Sequence, residues 1–208
     1  GPVFYVNPRH ASIGDKPSYP DVRSLPQTVD VAIIATPPPT LPTVLEHCGE
    51  RGVRGAIIVS AGFREGGEAG AACESSMLQV ARRYGLRLLG PNSFGVIRTD
   101  NGFNASCGAA LPKPGRLALV SQSSALCAAT LDWARSRHVG FSRMISTGVG
   151  DDIGFGDVLD FLARDAATDG IMLYLEGVGD ARRFMSALRA AARVKPVVVM
   201  KAGRSLEG

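Results

Sequence analysis

The amino-acid sequence predicts an α/β protein built from two consecutive doubly wound parallel sheets. Short apolar runs recur along the 208 residues, and each is followed by small or turn-forming residues and then by a helical pattern. The apolar residues within a run are consecutive and do not alternate with polar ones, which is typical of strands that are buried on both faces of a parallel sheet. Strands that alternate with helices in this way form a doubly wound fold.

The first half of the chain contains four predicted strands and two predicted helices. The strands are Val3–Val6, Val31–Thr36, Ala56–Ser60 and Leu86–Leu89, and the helices are Leu41–Arg51 and Glu68–Tyr84. A doubly wound domain normally opens with a strand, a glycine-rich turn and a helix. Because only two residues precede Val3, we expect the first domain to lack its N-terminal βα unit.

The second half repeats the alternation. Its strands are Arg116–Ser121, Phe141–Ser146, Ile171–Glu176 and Pro196–Lys201, and its helices are Ala125–Arg137, Gly156–Arg164 and Asp180–Arg193. Trp133 shares a helical face with Leu126 and is predicted to be buried. The segment Leu111–Gly115 contains two prolines and a glycine and interrupts the alternation. We therefore predict two domains, residues 1–111 and residues 112–208.

The composition excludes several classes of function. Hydrophobic residues make up 45% and charged residues 20%, as in ordinary globular proteins, and no apolar run approaches the roughly 18 residues that span a bilayer. The net charge of +4 comes from scattered arginines, which argues against a nucleic-acid partner but favours a polyanionic small ligand. The four cysteines lack metal-ligand spacing, so we predict reduced thiols, no metal site and a cytoplasmic protein.

Ligands of an open parallel sheet bind beyond the carboxyl ends of the strands, so the residues there are the candidates in the first domain. The turn at Thr36–Thr40 is rigid and apolar and would pack against an adenine ring or a pantetheine arm, or it is only a lead-in to the next helix with Thr40 as the N-cap. The loop at Ser60–Phe63 allows close approach of a ligand, or it is a plain turn. Asn92 either fixes its own loop or contacts the ligand. The predicted cofactor-binding residues are Thr36, Pro37, Pro38, Ser60, Ala61, Gly62, Phe63 and Asn92.

Hydroxyl-rich and glycine-rich turns follow two strands of the second domain. The turn at Ser121–Ser124 leads into a helix, whose free amides and positive end would receive a phosphate or a carboxylate. The hydroxyls could equally serve only as helix caps. The predicted phosphate-binding residues are Ser121, Gln122, Ser123, Ser124, Gly148 and Gly150. Glu176 ends a strand, where its carboxylate would hold a histidine or polarise a nucleophile, or form an ion pair with an arginine.

Seven sequence segments of the chain occur in the same order in the NDP-forming acyl-CoA synthetase superfamily, which the chain resembles along nearly its whole length. The superfamily includes ADP-forming acetyl-CoA synthetases and the succinyl-CoA synthetase alpha subunit. The matching segments are Val6–Pro8, Ala35–Pro37, Ser60–Phe63, Gly90–Asn92, Ser121–Ser123, Leu173–Gly177 and Lys195–Ser205.

The resemblance implies a Rossmann-like CoA-binding domain followed by a flavodoxin-like succinyl-CoA-synthetase-like domain. It implies coenzyme A or acetyl-CoA as ligand, with ADP or ATP and Mg²⁺ acting in the complete protein. Glu176 matches the glutamate that supports the family's phosphohistidine. None of the three histidines of this chain, His10, His47 and His138, matches that phosphohistidine. The expected partners are an acyl-CoA and further domains or a subunit of the ATP-grasp or GNAT type, and self-association is a further possibility.

Two functions remain open from the sequence. The favoured interpretation is the regulatory, acetyl-CoA-binding region of a GNAT-type protein lysine acetyltransferase, because stretches such as Leu131–Arg135 and Asp180–Phe184 resemble that subgroup. The alternative is a fragment of an ADP-forming acyl-CoA synthetase, which makes ATP and acid from acyl-CoA, ADP and phosphate. In either case the fragment alone is expected to be inactive. An unrelated dinucleotide-binding protein is a weaker third interpretation because no GxGxxG motif followed by an acidic residue occurs.

Overall fold

The computed structural model describes residues 1–63 and 66–203. Contacts group the chain into two compact units. Unit 1 comprises residues 1–56 and 60–87, and unit 2 comprises residues 57–59 and 88–208. The predicted domain boundary near residue 112 stays a proposal.

The first half of the chain forms two small sheets and two long helices. Strands β1 (Tyr5–Val6), β2 (Ser12–Ile13) and β3 (Lys16–Tyr19) make a three-stranded sheet in the order β1-β3-β2. Strands β4 (Val31–Ile34), β5 (Gly55–Ile58) and β6 (Arg87–Leu89) form a second sheet in the order β4-β5-β6. Helices α1 (Leu41–Glu50) and α2 (Gly67–Tyr84) pack together in unit 1, and Leu41, Leu45 and Met77 are fully buried there.

A six-stranded sheet forms the centre of unit 2. Its strands are β7 (Gly95–Arg98), β8 (Phe103–Ser106), β9 (Lys113–Ser121), β10 (Gly140–Ser146), β11 (Gly170–Leu175) and β12 (Val197–Lys201), in the order β12-β11-β9-β10-β7-β8. The four strands from β9 to β12 are joined by parallel pairing, whereas β7 joins β10 in antiparallel fashion. The helices are α3 (Ser124–Arg137), α4 (Phe155–Arg164) and α5 (Ala181–Ala192).

Helices cover both faces of this sheet, as the uninterrupted apolar runs predict. Ala118 and Val120 of β9 belong to a core that contains the buried faces of α4 and α5, whereas Leu119 belongs to a separate core with α3. Successive side chains of a strand point to opposite faces, so a strand buried on both sides must be apolar at every position. The predicted α/β class with parallel sheets is therefore confirmed.

Several features of the fold differ from the sequence-based expectation. Neither the hairpin β2–β3 nor the hairpin β7–β8 has a predicted counterpart, because their short strands contain too few consecutive apolar residues to stand out from the surrounding loops. Trp133 was predicted to be buried, which is wrong, since 54% of its surface is exposed. Helix α3 packs through Cys127, Leu131 and Ala134, and this face leaves Trp133 outside the core. Within the described ranges, no helix is both long and apolar enough to cross a membrane.

A buried arginine ties β10 to its neighbours at the end of the sheet away from the Ser121 turn. Arg143 is 2% exposed, and its guanidinium donates to Asp100 at 2.9 Å and to Asp165 at 3.1 Å. Hydrogen bonding from Arg98, together with the charge of Arg143, holds the pKa of Asp100 below its ordinary value. A carboxyl whose pKa is lowered on folding stabilises the fold at neutral pH, and this contribution is lost as the pH falls through the lowered pKa.

We expect Arg143→Met to lower the free energy of unfolding by about 3 kcal/mol, because it leaves the largely buried carboxylate of Asp165 without its cation. Urea unfolding of the purified chain measures this change. The matched control is Arg116→Met, which removes the exposed arginine that pairs with Asp169 and should have a much smaller effect. Equal losses for the two variants would show that burial of Arg143 is not what makes its ion pairs matter.

Candidate functional site

In unit 1, hydrogen bonds join the two loops that contain seven of the eight predicted cofactor-binding residues. The Ser60 hydroxyl donates to the carbonyl oxygen of Thr36 at 2.6 Å. The Thr40 hydroxyl donates to the Pro37 carbonyl at 2.7 Å and is hydrogen-bonded to the hydroxyl of Thr36 at 2.8 Å, so Thr40 folds back on the turn and does not cap α1. The Thr36–Pro38 turn and the Ser60–Phe63 loop therefore hold each other in place.

The side chains of these two loops differ in what they offer a ligand. Pro37, Ala61 and Gly62 are exposed, and Gly62 adopts a positive φ of 92°. Phe63 is only 1% exposed, so its ring is buried and is not presented at the surface. Helix α2 comes close at this point, since a Cβ added to Gly70 would lie 1.6 Å from the Phe63 carbonyl oxygen. The surface of this part of unit 1 thus consists of small residues and main chain, and the aromatic ring of Phe63 lies beneath it.

In unit 2, the turn around Asn92 is fastened by its neighbour Ser93. The Ser93 hydroxyl donates to the Ser146 carbonyl at 2.6 Å and accepts from the Gly95 amide at 2.9 Å. The Ser93 amide donates to the Ile58 carbonyl at 3.1 Å. Asn92 itself is exposed and has a φ of +57°, a conformation that asparagine tolerates better than most residues. The turn therefore holds the Asn92 carboxamide at the surface of unit 2.

Two other predicted loops of unit 2 contact the same turn. The Ser124 hydroxyl donates to the Asn92 carbonyl at 2.8 Å, and the Val149 amide donates to the Pro91 carbonyl at 3.0 Å. Gly148 is buried against this turn, and an added Cβ would lie 2.0 Å from the Pro91 carbonyl oxygen. The structure thus brings together Asn92, the Ser121–Ser124 turn and the Gly148 loop, which are far apart in sequence.

The hydroxyls of the Ser121–Ser124 turn serve the local backbone. The Ser121 hydroxyl donates to the Ser123 carbonyl and accepts from the Ser123 amide, each at 3.0 Å. The Ser123 hydroxyl caps α3 by accepting from the Leu126 amide at 3.2 Å. Among residues 1–63 and 66–203, no acceptor is recorded for the amides of Ser124 and Ala125. These two N–H groups stand at the positive end of a 14-residue helix, an arrangement that favours an anion.

Glu176 follows the last residue of β11 and is exposed. Its amide and that of Gly177 donate to the side-chain oxygen of Gln122, at 2.6 Å and 2.9 Å. The backbone amide of Gln122 donates to the Tyr174 carbonyl at 3.2 Å. The start of the Glu176 segment is thereby attached to the turn that precedes α3.

Cys127 lies one helical turn beyond Ser123 and is fully buried. Burial raises the pKa of its thiol to about 11, although hydrogen bonds with Ser121 and Ser146 act in the opposite direction. A thiol with this pKa is protonated near neutral pH, and only the thiolate is a strong nucleophile. Cys127 is therefore a packing residue beneath the turn.

Sequence reasoning did not identify three residues that shape this site. Ser93 and Pro91 supply the contacts that gather the loops, and Ala125 supplies one of the two amides without a recorded acceptor among the described residues. Serine, proline and alanine carry no distinctive chemical signal in a sequence. The contributions of Pro91 and Ala125 are made by the main chain, so side-chain identity does not reveal them.

Two protein families match the chain, one in each half. Residues 1–99 match a CoA binding domain, and residues 114–208 match the succinyl-CoA ligase like flavodoxin domain. An ADP-forming acetate–CoA ligase I from Archaeoglobus fulgidus is 45% identical over all 208 residues of the chain, which cover 30% of that protein. The alpha subunit of an ADP-forming acetate–CoA ligase I from Pyrococcus furiosus is 44% identical over 91% of the chain and 41% of the subunit.

The chain belongs to the NDP-forming acyl-CoA synthetase superfamily. A solved structure supports this assignment throughout the fold: acetyl-coenzyme A synthetase 1 from Ca. Korarchaeum cryptofilum, in complex with phosphate and ADP, has a TM-score of 0.90 and 35% identity. That match covers 98% of this chain and 44% of the solved one. The ATP citrate lyase of Methanothrix soehngenii, at 18% identity and a TM-score of 0.72, shares the fold.

Membership of the superfamily confirms the predicted Rossmann-like and flavodoxin-like domain families and the assignment of the first to CoA binding. The relatives favour the ligase alternative over the acetyltransferase interpretation, because they are ADP-forming ligases. The chain spans 30% to 45% of the length of three of its relatives. Related proteins therefore contain further domains or assemble with further subunits. The matching segment at Lys195–Ser205 continues beyond Gly203, and Arg204 and Ser205 lie outside the described residues.

We expect Gly148→Ala to destabilise unit 2 by more than about 2 kcal/mol, since its φ is +56° and the new methyl group would collide with the Pro91 carbonyl. Thermal unfolding followed by circular dichroism measures the loss. The control is Gly179→Ala, where an added Cβ meets nothing within 4 Å. If both variants melt at the wild-type temperature, the Gly148 loop is not locked against the Asn92 turn.

Proposed function

We propose that this chain is the CoA-binding and acyl-transfer region of an ADP-forming acyl-CoA ligase. The observation that supports this most directly is the pair of amides at Ser124 and Ala125 without a recorded acceptor in the described ranges, next to the Asn92 turn. The proposal draws further support from ADP-forming acetate–CoA ligases that are 44% and 45% identical to the chain. The complete protein would convert acyl-CoA, ADP and phosphate into the acid, CoA and ATP.

The first chemical step would take place at the turn that precedes α3. An oxygen of the bound phosphate attacks the thioester carbonyl carbon, so that a C–O bond forms, the C–S bond breaks, and CoA leaves as the thiol with the proton from phosphate. The amides of Ser124 and Ala125 would hold the phosphate, because main-chain N–H groups at a helix N-terminus bind anions without a counter-charge. The hydroxyls of Ser121 and Ser123 would keep the turn in shape, and Asn92 would present its carboxamide to the ligand.

The later steps need groups that lie elsewhere. The acyl phosphate would transfer its phosphoryl group to a histidine, with formation of an N–P bond and release of the carboxylate. Glu176, which is exposed beyond β11, would support that histidine. A further domain or subunit of the ATP-grasp type would then pass the phosphoryl group to ADP with Mg²⁺. The cytoplasmic location and self-association remain predictions.

The CoA itself would lie along the loops of unit 1. Pro37, Pro38, Ala61 and Gly62 would contact the adenine or the pantetheine arm, and Thr36 and Ser60 would fix the two loops. Phe63 would act as an anchor from inside the unit, because its ring is buried. The Asn92 carboxamide remains a further proposed contact.

The anion-binding proposal predicts that Ser124→Pro weakens phosphate binding roughly tenfold relative to Ser124→Ala. Both changes remove the hydroxyl, but only proline also removes the amide. Proline is favoured at the first position of a helix, and Ser123 has the extended backbone that precedes proline (ψ 115°), so α3 should remain intact. A hydrogen bond to a charged group contributes about 1.5 kcal/mol or more, which corresponds to the tenfold factor. Calorimetric titration with inorganic phosphate measures both constants, and equal constants would exclude the Ser124 amide as a ligand.

The CoA proposal predicts that calorimetric titration of the protein with CoA gives saturable binding, whereas NAD gives none. The physical reason is that the Thr36–Pro38 and Ser60–Phe63 loops lack the GxGxxG turn that receives a dinucleotide pyrophosphate. Binding of NAD without binding of CoA would reverse the assignment.

A further inference from the structure

The residue between β9 and the N-cap of α3 is Gln122, and its backbone is fixed to β11. Strand β9 pairs with β11 up to Ser121, which lies opposite Tyr174. The Gln122 amide adds one more hydrogen bond to this pairing, to the Tyr174 carbonyl at 3.2 Å. After this point the main chain leaves the sheet and enters α3, so β9 can no longer supply acceptors to the residues that follow β11.

The Gln122 side chain takes over as acceptor at that point. Its Oε1 accepts from the amide of Glu176 at 2.6 Å and from the amide of Gly177 at 2.9 Å. An amide oxygen has two lone pairs and can accept both bonds at once. The orientation of the carboxamide is settled by chemistry, because both partners are N–H groups and only the oxygen can face them.

The segment that receives these bonds has little other support. Residues 176–180 are all exposed, whereas the preceding Leu175 is buried and accepts from the Ala202 amide at 2.8 Å. The main-chain hydrogen bonding between β11 and β12 therefore ends at Leu175. Beyond it, the two bonds to Gln122 restrict the main chain of Glu176 and, with it, the direction in which the carboxylate leaves the backbone.

We propose that Gln122 is a positioning residue for Glu176, and that it sets the distance between this carboxylate and the anion-binding turn. The inference rests on the proposed function, because it assigns Gln122 a role in the same reaction. Gln122 alone then fixes both the anion-binding turn before α3 and the Glu176 carboxylate. Its backbone continues into the Ser123 cap, and its side chain holds the Glu176 main chain.

Three variants separate this role from a general structural one. Gln122→Met has a similar length but no acceptor. Gln122→Glu keeps an oxygen acceptor of the same reach but adds a negative charge beside the proposed phosphate site. Gln122→Ala removes the whole side chain beyond Cβ. All three leave the Gln122 amide and its bond to Tyr174 in place, so the sheet should remain folded.

The first test is hydrogen exchange at individual amides, measured by NMR on the purified chain. In Gln122→Met and Gln122→Ala, the amides of Glu176 and Gly177 should exchange at least about tenfold faster than in wild type. In Gln122→Glu, they should exchange no more than about threefold faster. The Leu126 amide, which is bonded to Ser123, is the internal control and should be unchanged. Unchanged exchange in Gln122→Met, or equally fast exchange in Gln122→Glu, would overturn the proposal.

The second test is steady-state kinetics in the complete protein, with acetyl-CoA, ADP and phosphate as substrates. We expect Gln122→Met to lower kcat at least about tenfold with little change in the KM for acetyl-CoA. Gln122→Glu should retain more of kcat than Gln122→Met and raise the KM for phosphate. Faster exchange at Glu176 with an unchanged kcat would also overturn the positioning role. If the wild-type protein has no such activity, the proposed function fails, and the exchange experiment still decides whether Gln122 holds Glu176.

Discussion

The candidate site of unit 2 depends on one buried hydroxyl, that of Ser93, which is 2% exposed. It donates to the end of β10 at Ser146 and accepts from the Gly95 amide at the start of β7, while the Ser93 amide reaches Ile58 of β5. A buried polar group must find partners or destabilise the fold, and here the hydroxyl has partners on two strands while the backbone amide of the same residue bonds to a third. These bonds hold the Asn92 turn beside the end of β10 and the start of β7.

The Ser121–Ser124 turn uses its side chains to hold the backbone, and its main-chain amides are the groups proposed to bind a ligand. The hydroxyls of Ser121, Ser123 and Ser124 are all engaged with neighbouring main-chain groups. The N–H groups of Ser124 and Ala125, at the positive end of α3, have no recorded acceptor within the described part of the chain. Such a receptor recognises the charge and size of an anion, which agrees with a substrate as small and symmetric as phosphate.

The comparisons favour one of the two interpretations left open by the sequence, the ligase alternative. Relatives that share 44% and 45% identity are ADP-forming ligases, and the chain covers less than half of each of them. The relatives therefore contain residues beyond the region that this chain matches. The exposed position of Glu176 agrees with a contact from such residues, since a carboxylate at the surface of unit 2 is accessible to a group from outside it.

The sequence by itself determined the class of fold and most of its elements. The runs at Arg116–Ser121 and Ile171–Glu176 differ from the observed β9 and β11 by only a few residues at their ends. Uninterrupted apolar runs have one good solution, a parallel strand covered on both faces, so periodicity alone identifies them. The order of motifs likewise identified the superfamily without any contact being known.

The tertiary structure decided which polar groups remain for a ligand. A serine in a sequence is equally a cap, a bridge or a ligand, and only the positions of its neighbours distinguish these roles. Gln122 is the clearest case: its place among the phosphate-binding residues stays a prediction, and only the fold shows that the amides of Glu176 and Gly177 meet its oxygen. The physical reason is that a hydrogen bond depends on distance and direction, and for residues more than fifty positions apart these are set only when the sheet has formed.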